Sequence, residues 1–405
     1  MTSLELEQKA LRIQAVVEEH TLQEHGMLPM FVRSTDYQLP TAEDYAGMAP
    51  HRHLKGKTEA ELGLAPMHVW RAWENTSADT GFYLGAMSYR YRCTADPEVL
   101  AICRRTLAAL KHIYDMGAEF DEPGFLTKPY GGVATNQTSE DQIQCVTVGL
   151  DAYRRIAGPE DEATIGEMFV GFADYQMRHG YRPKPRGYFA HTWQPWDWTN
   201  GDWSYALIHV PVLYHAWFTT GDDRYLDDVR RWYDACAGDS HWLGEETGLS
   251  WGSPHRMLYL PSLMMELEPL QHDKWRRFMS YVFRTVNPGV LPNGTSYSAG
   301  TVDPDTGKVV PIDPGWGGGP TRTGRIAITG RACVNAQRWL PDEDMIGVAR
   351  VILEELDMDT FRFIMPAVPG ESLPPDWKTE GELLDHDCIT AWLWMYWEGR
   401  WRGYW

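Results

Sequence analysis

The 405-residue sequence has few cysteines, too few bases for its acids, and no long apolar run. Its six cysteines, Cys93, Cys103, Cys145, Cys236, Cys333 and Cys388, are scattered without a Cys-x-x-Cys pair. That spacing argues against a disulfide framework and a cysteine-type zinc site, and for reduced, mostly buried thiols. Lys and Arg number 37 against 56 Asp and Glu, a formal charge of -19. Without a positive face the chain is a poor partner for nucleic acid or an anionic membrane. No stretch approaches the ~18 apolar residues of a transmembrane span. The N-terminal MTSLELEQKALRIQAVVEEH carries early acids where a secretory leader has an unbroken apolar core. These absences predict a cytoplasmic protein with neither a membrane nor a nucleic-acid partner; they leave oligomeric state open.

What is plentiful is aromatic: 19 Trp, 20 Tyr and 12 Phe, 13% of the chain and more than one core requires. Apolar residues at 43% and charged residues at 23% are ordinary for a globular protein, so disorder, collagen and coiled coil are excluded. Length alone fits two or three domains at roughly 150 residues each.

The turn pattern argues for one. From Asp79 onward, apolar residues recur with helical spacing, and short turns alternate with long loops. GFYLGAMSYRYR and PEVLAICRRTLAALKHIY are separated only by CTAD, with Asp96 set to cap a helix whose first residue is Pro97. AGPED, TTGDD and LPDED repeat the device, and EPLQHD is a looser version. Turn centres near residues 95, 159, 221, 271 and 342 give a repeat of roughly 50–70 residues, the mark of a repeat architecture. Five hairpins are visible, and pairing the helix around residues 3–22 with the terminal ELLDHDCITAWLWMYWEG makes six. The expectation is an all-α fold, an (α/α)6 barrel formed by residues 1–405 as a single domain, with an irregular segment at about 24–70. An open α-solenoid gives the same one-dimensional signal. Strand signals are sparse: LPMFVRS near the start and KVVPI around 308–312.

If the first helix of each hairpin is the inner one, the long connections gather on one rim, at the N-terminal ends of the inner helices. Those connections hold or border Trp70, Trp73, Trp193, Trp196, Trp198, Trp203, Trp251, Trp316 and Trp377. Trp217, Trp232, Trp275, Trp339, Trp392 and Trp394 read as core. Loops on a rigid scaffold usually carry function, and aromatic plates mixed with Asp, His and Arg suit a carbohydrate, whose rings offer C–H faces to aromatics and hydroxyls to polar groups. Helix N-termini aimed at the rim favour an anionic sugar such as a uronate.

Asp79 in SAD and Asp141 in TSED stand near the starts of consecutive inner helices. Each taken singly reads as a helix cap. Together they are placed to face one another across neighbouring staves, where glycoside cleavage needs a proton donor and an activated water or stabilising carboxylate.

Ala78-Asp79-Thr80-Gly81-Phe82 is similar to a His-Asp-Leu-Gly-Phe motif that opens an inner helix in the six-hairpin glycosidases, specifically in the unsaturated glucuronyl and rhamnogalacturonyl hydrolase group. Trp198-Thr199-Asn200-Gly201-Asp202-Trp203 resembles that group's Trp-x-Arg-Gly-x-x-Trp, and a second Asp at the next inner helix corresponds in spacing to Asp141. Ala78 replaces the His and Asn200 the Arg. The resemblance implies a hydrolase in which Asp141 protonates the 4,5-double bond of a terminal unsaturated uronate and activates the water that adds at the neighbouring carbon. The resulting hemiketal opens and releases the next sugar, while Asp79 polarises or orients Asp141. The same pair could cleave an intact uronide or a neutral glycoside, with Asp197 or Asp202 as a further acid.

The remaining candidates are substrate contacts. Trp73, Trp198, Trp203, Trp251 and Trp316 are stacking platforms; Asn75, Gln142, Tyr130, His191 and His255 are hydroxyl or carboxylate partners; Arg256 and Arg322 are carboxylate forks. A uronate lyase or a sugar epimerase on the same barrel is the alternative, using Asn75, Gln142, His191 and Tyr297 to neutralise a carboxylate and abstract a proton. A non-catalytic sugar-binding scaffold is a third reading. HRH at 51–53 and LLDHD at 383–387 carry ligand-type residues without His-x-x-x-His spacing, so no metal or other cofactor is expected. A DxDD-like acid run, as a terpene cyclase would carry, is lacking.

Overall fold

A computed structural model describes residues 1–51, 54, 56–181, 203–235, 253–267, 272–286, 290–297, 300–302, 309–311, 321–366 and 370–405. Its helices are α1 (Ser3–Val16), α2 (Met67–Trp73), α3 (Thr76–Thr94), α4 (Pro97–Phe120), α5 (Glu140–Arg154), α6 (Pro159–Arg178), α7 (Trp203–Thr220), α8 (Arg224–Ala235), α9 (Ser253–Leu267), α10 (His272–Val286), α11 (Ile326–Ala336), α12 (Met345–Glu355), α13 (Lys378–Glu382) and α14 (His386–Trp401).

The hairpin turns form as their residues dictate. Ala95 takes the left-handed conformation that ends α3, Asp96 accepts the Glu98 N–H at 2.9 Å, and Pro97 opens α4. Gly221 makes the corresponding turn at φ 70°, and Asp344 caps α12 through the Gly347 N–H at 2.9 Å. Burial then sorts the helices. α4 buries one face through Val99, Cys103, Leu107, Leu110 and Tyr114, the stripe of a helix that covers a core from outside. Thr76–Tyr89 of α3, all of α11 and His386–Gly399 of α14 are buried on every side, as helices inside a second layer must be.

Packing closes these inner helices into a ring: α3 lies against α5 and α14, α14 against α11, α11 against α9, α9 against α7, and α7 against α5. Outside them α4 covers α3, α6 covers α5 and α7, α8 covers α7, α10 covers α9, α12 covers α11, and α1 covers α14. The architecture is the all-α (α/α)6 barrel, closed rather than an open solenoid, and its two chain ends form the sixth pair. Arg400 reaches Glu7 at 2.6 Å, and Lys9 lies 5.3 Å from the Trp392 ring centre to fasten that closure.

Short strands trim the rim. Phe31–Arg33 pairs antiparallel with Leu383–Asp385, and Gly300–Val302 with Val309–Pro311, at the two places where the sequence carries strand signals. The first pair anchors the rim. Met30 donates its N–H to the Ala72 carbonyl at 2.7 Å and accepts that of His386 at 2.9 Å, so one strap fixes the end of α2 and the start of α14 together.

Candidate active site

The N-terminal ends of four inner helices converge on one buried polar cluster. Asp79, in the first turns of α3, is wholly buried, and its oxygens meet no hydrogen-bond donor among the described residues. The capping reading of Asp79 therefore does not hold. Burial, followed by the nearby carboxylates of Asp387 and Asp385, pushes its carboxyl well above the usual carboxylate range, with Arg325 opposing.

Asp387, at the start of α14, accepts the Asn75 Nδ2–H and pairs with Arg325 Nη2, each at 2.7 Å and both on Oδ2. Arg325, immediately before α11, also donates from Nε to Asp385 at 2.7 Å. Burial outweighs that pairing and pushes Asp385 up to about 6, while the two acids hold Arg325 firmly protonated.

The network continues to α5. Gln142 donates from Nε2 to the Asn75 Oδ1 at 3.0 Å and accepts the Ala78 N–H at 3.0 Å. Its own N–H donates to Asp141 Oδ1 at 3.0 Å. Asp141 is half-buried in the first turn of α5, where the helix end favours an anion. Asp79 and Asp141 thus sit on adjacent staves, but the acid that faces Asp79 is Asp387; Asp141 is reached through Asn75 and Gln142.

Beside this cluster lies a second. Arg71 Nε donates to Glu380 at 2.5 Å and also pairs with Glu74; Lys128 stands 3.8 Å from Glu74, and His51 3.5 Å from Glu380. Against the cost of burial, Arg71 and His51 hold Glu380 down at about 2. Tyr130 is buried next to Glu74 and Asp141, and its hydroxyl has no hydrogen-bond partner among the described residues. Burial, Glu74 and Asp141 push that phenol well above its ordinary range.

The structure therefore links Asn75, Gln142 and Asp141 in one network, with Asp79 buried beside Asp387 at its end and Tyr130 near Asp141. Arg322 is committed elsewhere: its Nε donates to the Pro366 carbonyl at 2.9 Å, and its backbone pairs with Met365. Each of the rim tryptophans whose side chain is described is packed inside the protein. Trp70, Trp73 and Trp377 are buried, Trp377 in a small apolar cluster with Phe31, Tyr45 and Phe363. Trp377 thus packs with the strap residue Phe31, while Trp70 and Trp73 belong to the main core, a use that loop position alone does not reveal. Trp203, His255 and Arg256 lie in α7 and α9 by their backbone, with side chains outside the described set. His191, Trp198, Asp202, Trp251 and Trp316 lie outside the described residues.

Sequence reasoning missed Asp387, Asp385 and Arg325. The signal was present in LLDHD, read there only for metal; the missing information was Arg325, 60 residues away from Asp385. Among the described residues no group of three His, Cys, Asp or Glu is arranged to hold a metal ion, and no helix is long and apolar enough to cross a membrane.

No protein-family model and no curated protein matches the sequence. Solved structures do. A sugar epimerase from a ruminal bacterium superposes with a TM-score of 0.57 at 12% identity, over 99% of this chain and 99% of that one. An unsaturated glucuronyl hydrolase specific for heparin gives 0.54 at 13%, over 98% and 96%. The cellobiose 2-epimerase from Bacillus thermoamylovorans gives 0.54 at 10%, over 97% and 100%. Likeness at such low identity carries the fold and not the reaction. On the ring of contacts and these superpositions together, the chain has the six-hairpin (α/α)6 fold of these enzymes.

Proposed function

We propose that the protein is a carbohydrate-processing enzyme, a glycoside hydrolase acting on a small, uronate-containing oligosaccharide. The observation that carries the reading is the convergence of Asp141, Asp79, Asn75 and Gln142 at the N-terminal ends of adjoining inner helices. An enzyme that cleaves a glycoside needs a proton for the departing or receiving carbon or oxygen and a base for water. Asp141 is the half-exposed acid of the set and so the one available to substrate. In the proposed reaction its proton goes to C4 of an unsaturated uronate; water attacks C5 and returns a proton to Asp141; the hemiketal then opens. Asp79, buried behind it, orients the network rather than meeting the sugar. The similar folds of an unsaturated glucuronyl hydrolase and of sugar epimerases support carbohydrate as the substrate class.

Asp141→Asn keeps the size of the side chain and its hydrogen bond to Gln142 and removes its acid. It is expected to leave fold and sugar binding intact and to lower turnover by at least ~100-fold, as loss of a general acid does. Near-full turnover would overturn the assignment. A second reading, a lyase or epimerase, is favoured by one observation: the buried Tyr130 hydroxyl, without a partner among the described residues, close to Asp141. In that case Tyr130→Phe, and not Asp141→Asn, is the substitution that stops the reaction.

A further inference from the structure

Two carboxylates cannot hydrogen-bond one another unless one carries a proton, and two like charges in contact away from water do not both ionise. Asp79 and Asp387 are in that position. Both are buried, and Asp79 has no donor among the described residues and lies within hydrogen-bonding reach of Asp387. The pair is not symmetric. Arg325 and Asn75 both donate to Asp387 Oδ2 at 2.7 Å, so a negative charge is stabilised there and nowhere on Asp79.

We propose that Asp387 is a positioning residue of the site: it shares one proton with Asp79, keeps the charge of the pair, and through Asn75 and Gln142 sets the first turn of α5 that carries Asp141. The connection is continuous. Asp387 fixes which end of the Asn75 amide is the donor; the remaining Asn75 oxygen takes Gln142 Nε2; the remaining Gln142 oxygen takes the Ala78 N–H; and the Gln142 N–H meets Asp141. Each amide is thereby oriented by the one before it, and a neutral Asp387 would release the first link. The groups that face the pair are Arg325 ahead of α11, Asp385 and His386 at the entry to α14, Cys388 in its first turn, and the neutral amides of Asn75 and Gln142 from the starts of α3 and α5. Burial pushes His386 down to about 4, so it is neutral near pH 7, and Arg325 supplies the balancing positive charge.

The function of Asp387 rests on the reading of Asp141 as the working acid; the shared proton does not. Infrared spectroscopy of the full-length protein with isotope-labelled aspartate is expected to show a neutral carboxylic C=O band at neutral pH that disappears in Asp79→Asn. A spectrum without that band, or one in which it persists in Asp79→Asn, overturns the shared proton. Asp387→Asn is expected to lower kcat by about 100-fold, the order lost when a reacting group is slightly misplaced, with little change in KM and a displaced pH–rate profile. Asp387→Glu, which restores the charge, is expected to recover part of that loss. An unaltered kcat and pH profile in Asp387→Asn overturns the positioning role. If Asp387→Asn does not fold, the infrared comparison of wild type with Asp79→Asn decides the shared proton. The two readings also fail separately: full turnover by Asp141→Asn removes the hydrolase assignment and leaves the infrared result standing.

Discussion

At the scale of residues, environment and not residue type separates the acids. Asp79 meets no donor among the described residues, and burial pushes its carboxyl up; Asp387 is bonded by Arg325 and Asn75; Asp141 lies half-buried at a helix start. The raised carboxyl of Asp79 gives stability a definite sign with pH. A carboxyl raised in the folded state binds its proton more tightly there than in the unfolded chain, so its contribution is full below the ordinary carboxylate pKa and is lost as pH rises through the folded value. Urea unfolding across a pH series should therefore show wild type losing stability relative to Asp79→Asn toward alkaline pH; parallel curves contradict a raised Asp79 carboxyl. Arg331 presents a different case. It is buried in α11 between Phe82, Tyr259 and Trp394, with ring centres 4.6, 4.2 and 4.5 Å away, and its Nε and Nη1 have no hydrogen-bond partner among the described residues. Rings compensate a guanidinium only in part, and burial weakens its hold on the proton. Arg331→Met is thus expected to fold and to gain about 1 kcal/mol, by the reasoning that apolar groups often replace buried charges without loss. A loss above ~2 kcal/mol in denaturant titration would show that the charge is needed.

At the scale of elements, what was legible in the sequence was local. The hairpin turns could be read because Asp96–Pro97, Gly221 and Asp344 act on their own neighbours. The strand signals around 31–33 and 309–311 also rest on short-range pattern. The burial of Trp70, Trp73 and Trp377 and the pairing of Asp79 with Asp387 depend on which distant segments meet, and composition does not encode that. The pairing of α3 with α5 has its own requirement. A Cβ on Gly149 would stand 2.1 Å from the Gly81 carbonyl oxygen, and one on Gly81 2.6 Å from that of Cys145. These glycines let the two staves approach closely enough for Gln142 to reach Asn75. Gly149→Ala is expected to cost about 3 kcal/mol, the upper range for overpacking against backbone, and to lower the melting temperature measurably. An unchanged melting temperature would mean that the staves can separate at little cost.

At the scale of the whole molecule, closing six hairpins into a ring gathers the inner-helix N-termini of α3, α5, α11 and α14 at one rim, where acids and amides from remote parts of the chain meet. Buried ion pairs elsewhere tie the barrel together. Asp151 is held at about 2 by Arg155 and His215, and Glu380 at about 2 by Arg71 and His51, each against burial. Their stabilisation is present above the ordinary carboxylate pKa and is lost as pH falls toward 2, so acid unfolding should begin below about pH 4 and shift upward when Arg71 is replaced by Met. Removing that guanidinium should cost about 3–5 kcal/mol near pH 7, because Glu380 and Glu74 stay buried without it. The rim acids are proposed to hydrate an unsaturated uronide. The ultraviolet absorbance of an unsaturated uronate disaccharide, followed with purified protein, tests it by sign. The conjugated band is predicted to disappear with wild type and to persist with Asp141→Asn; a band that persists with wild type, or that appears when an intact uronide is supplied, contradicts the claim.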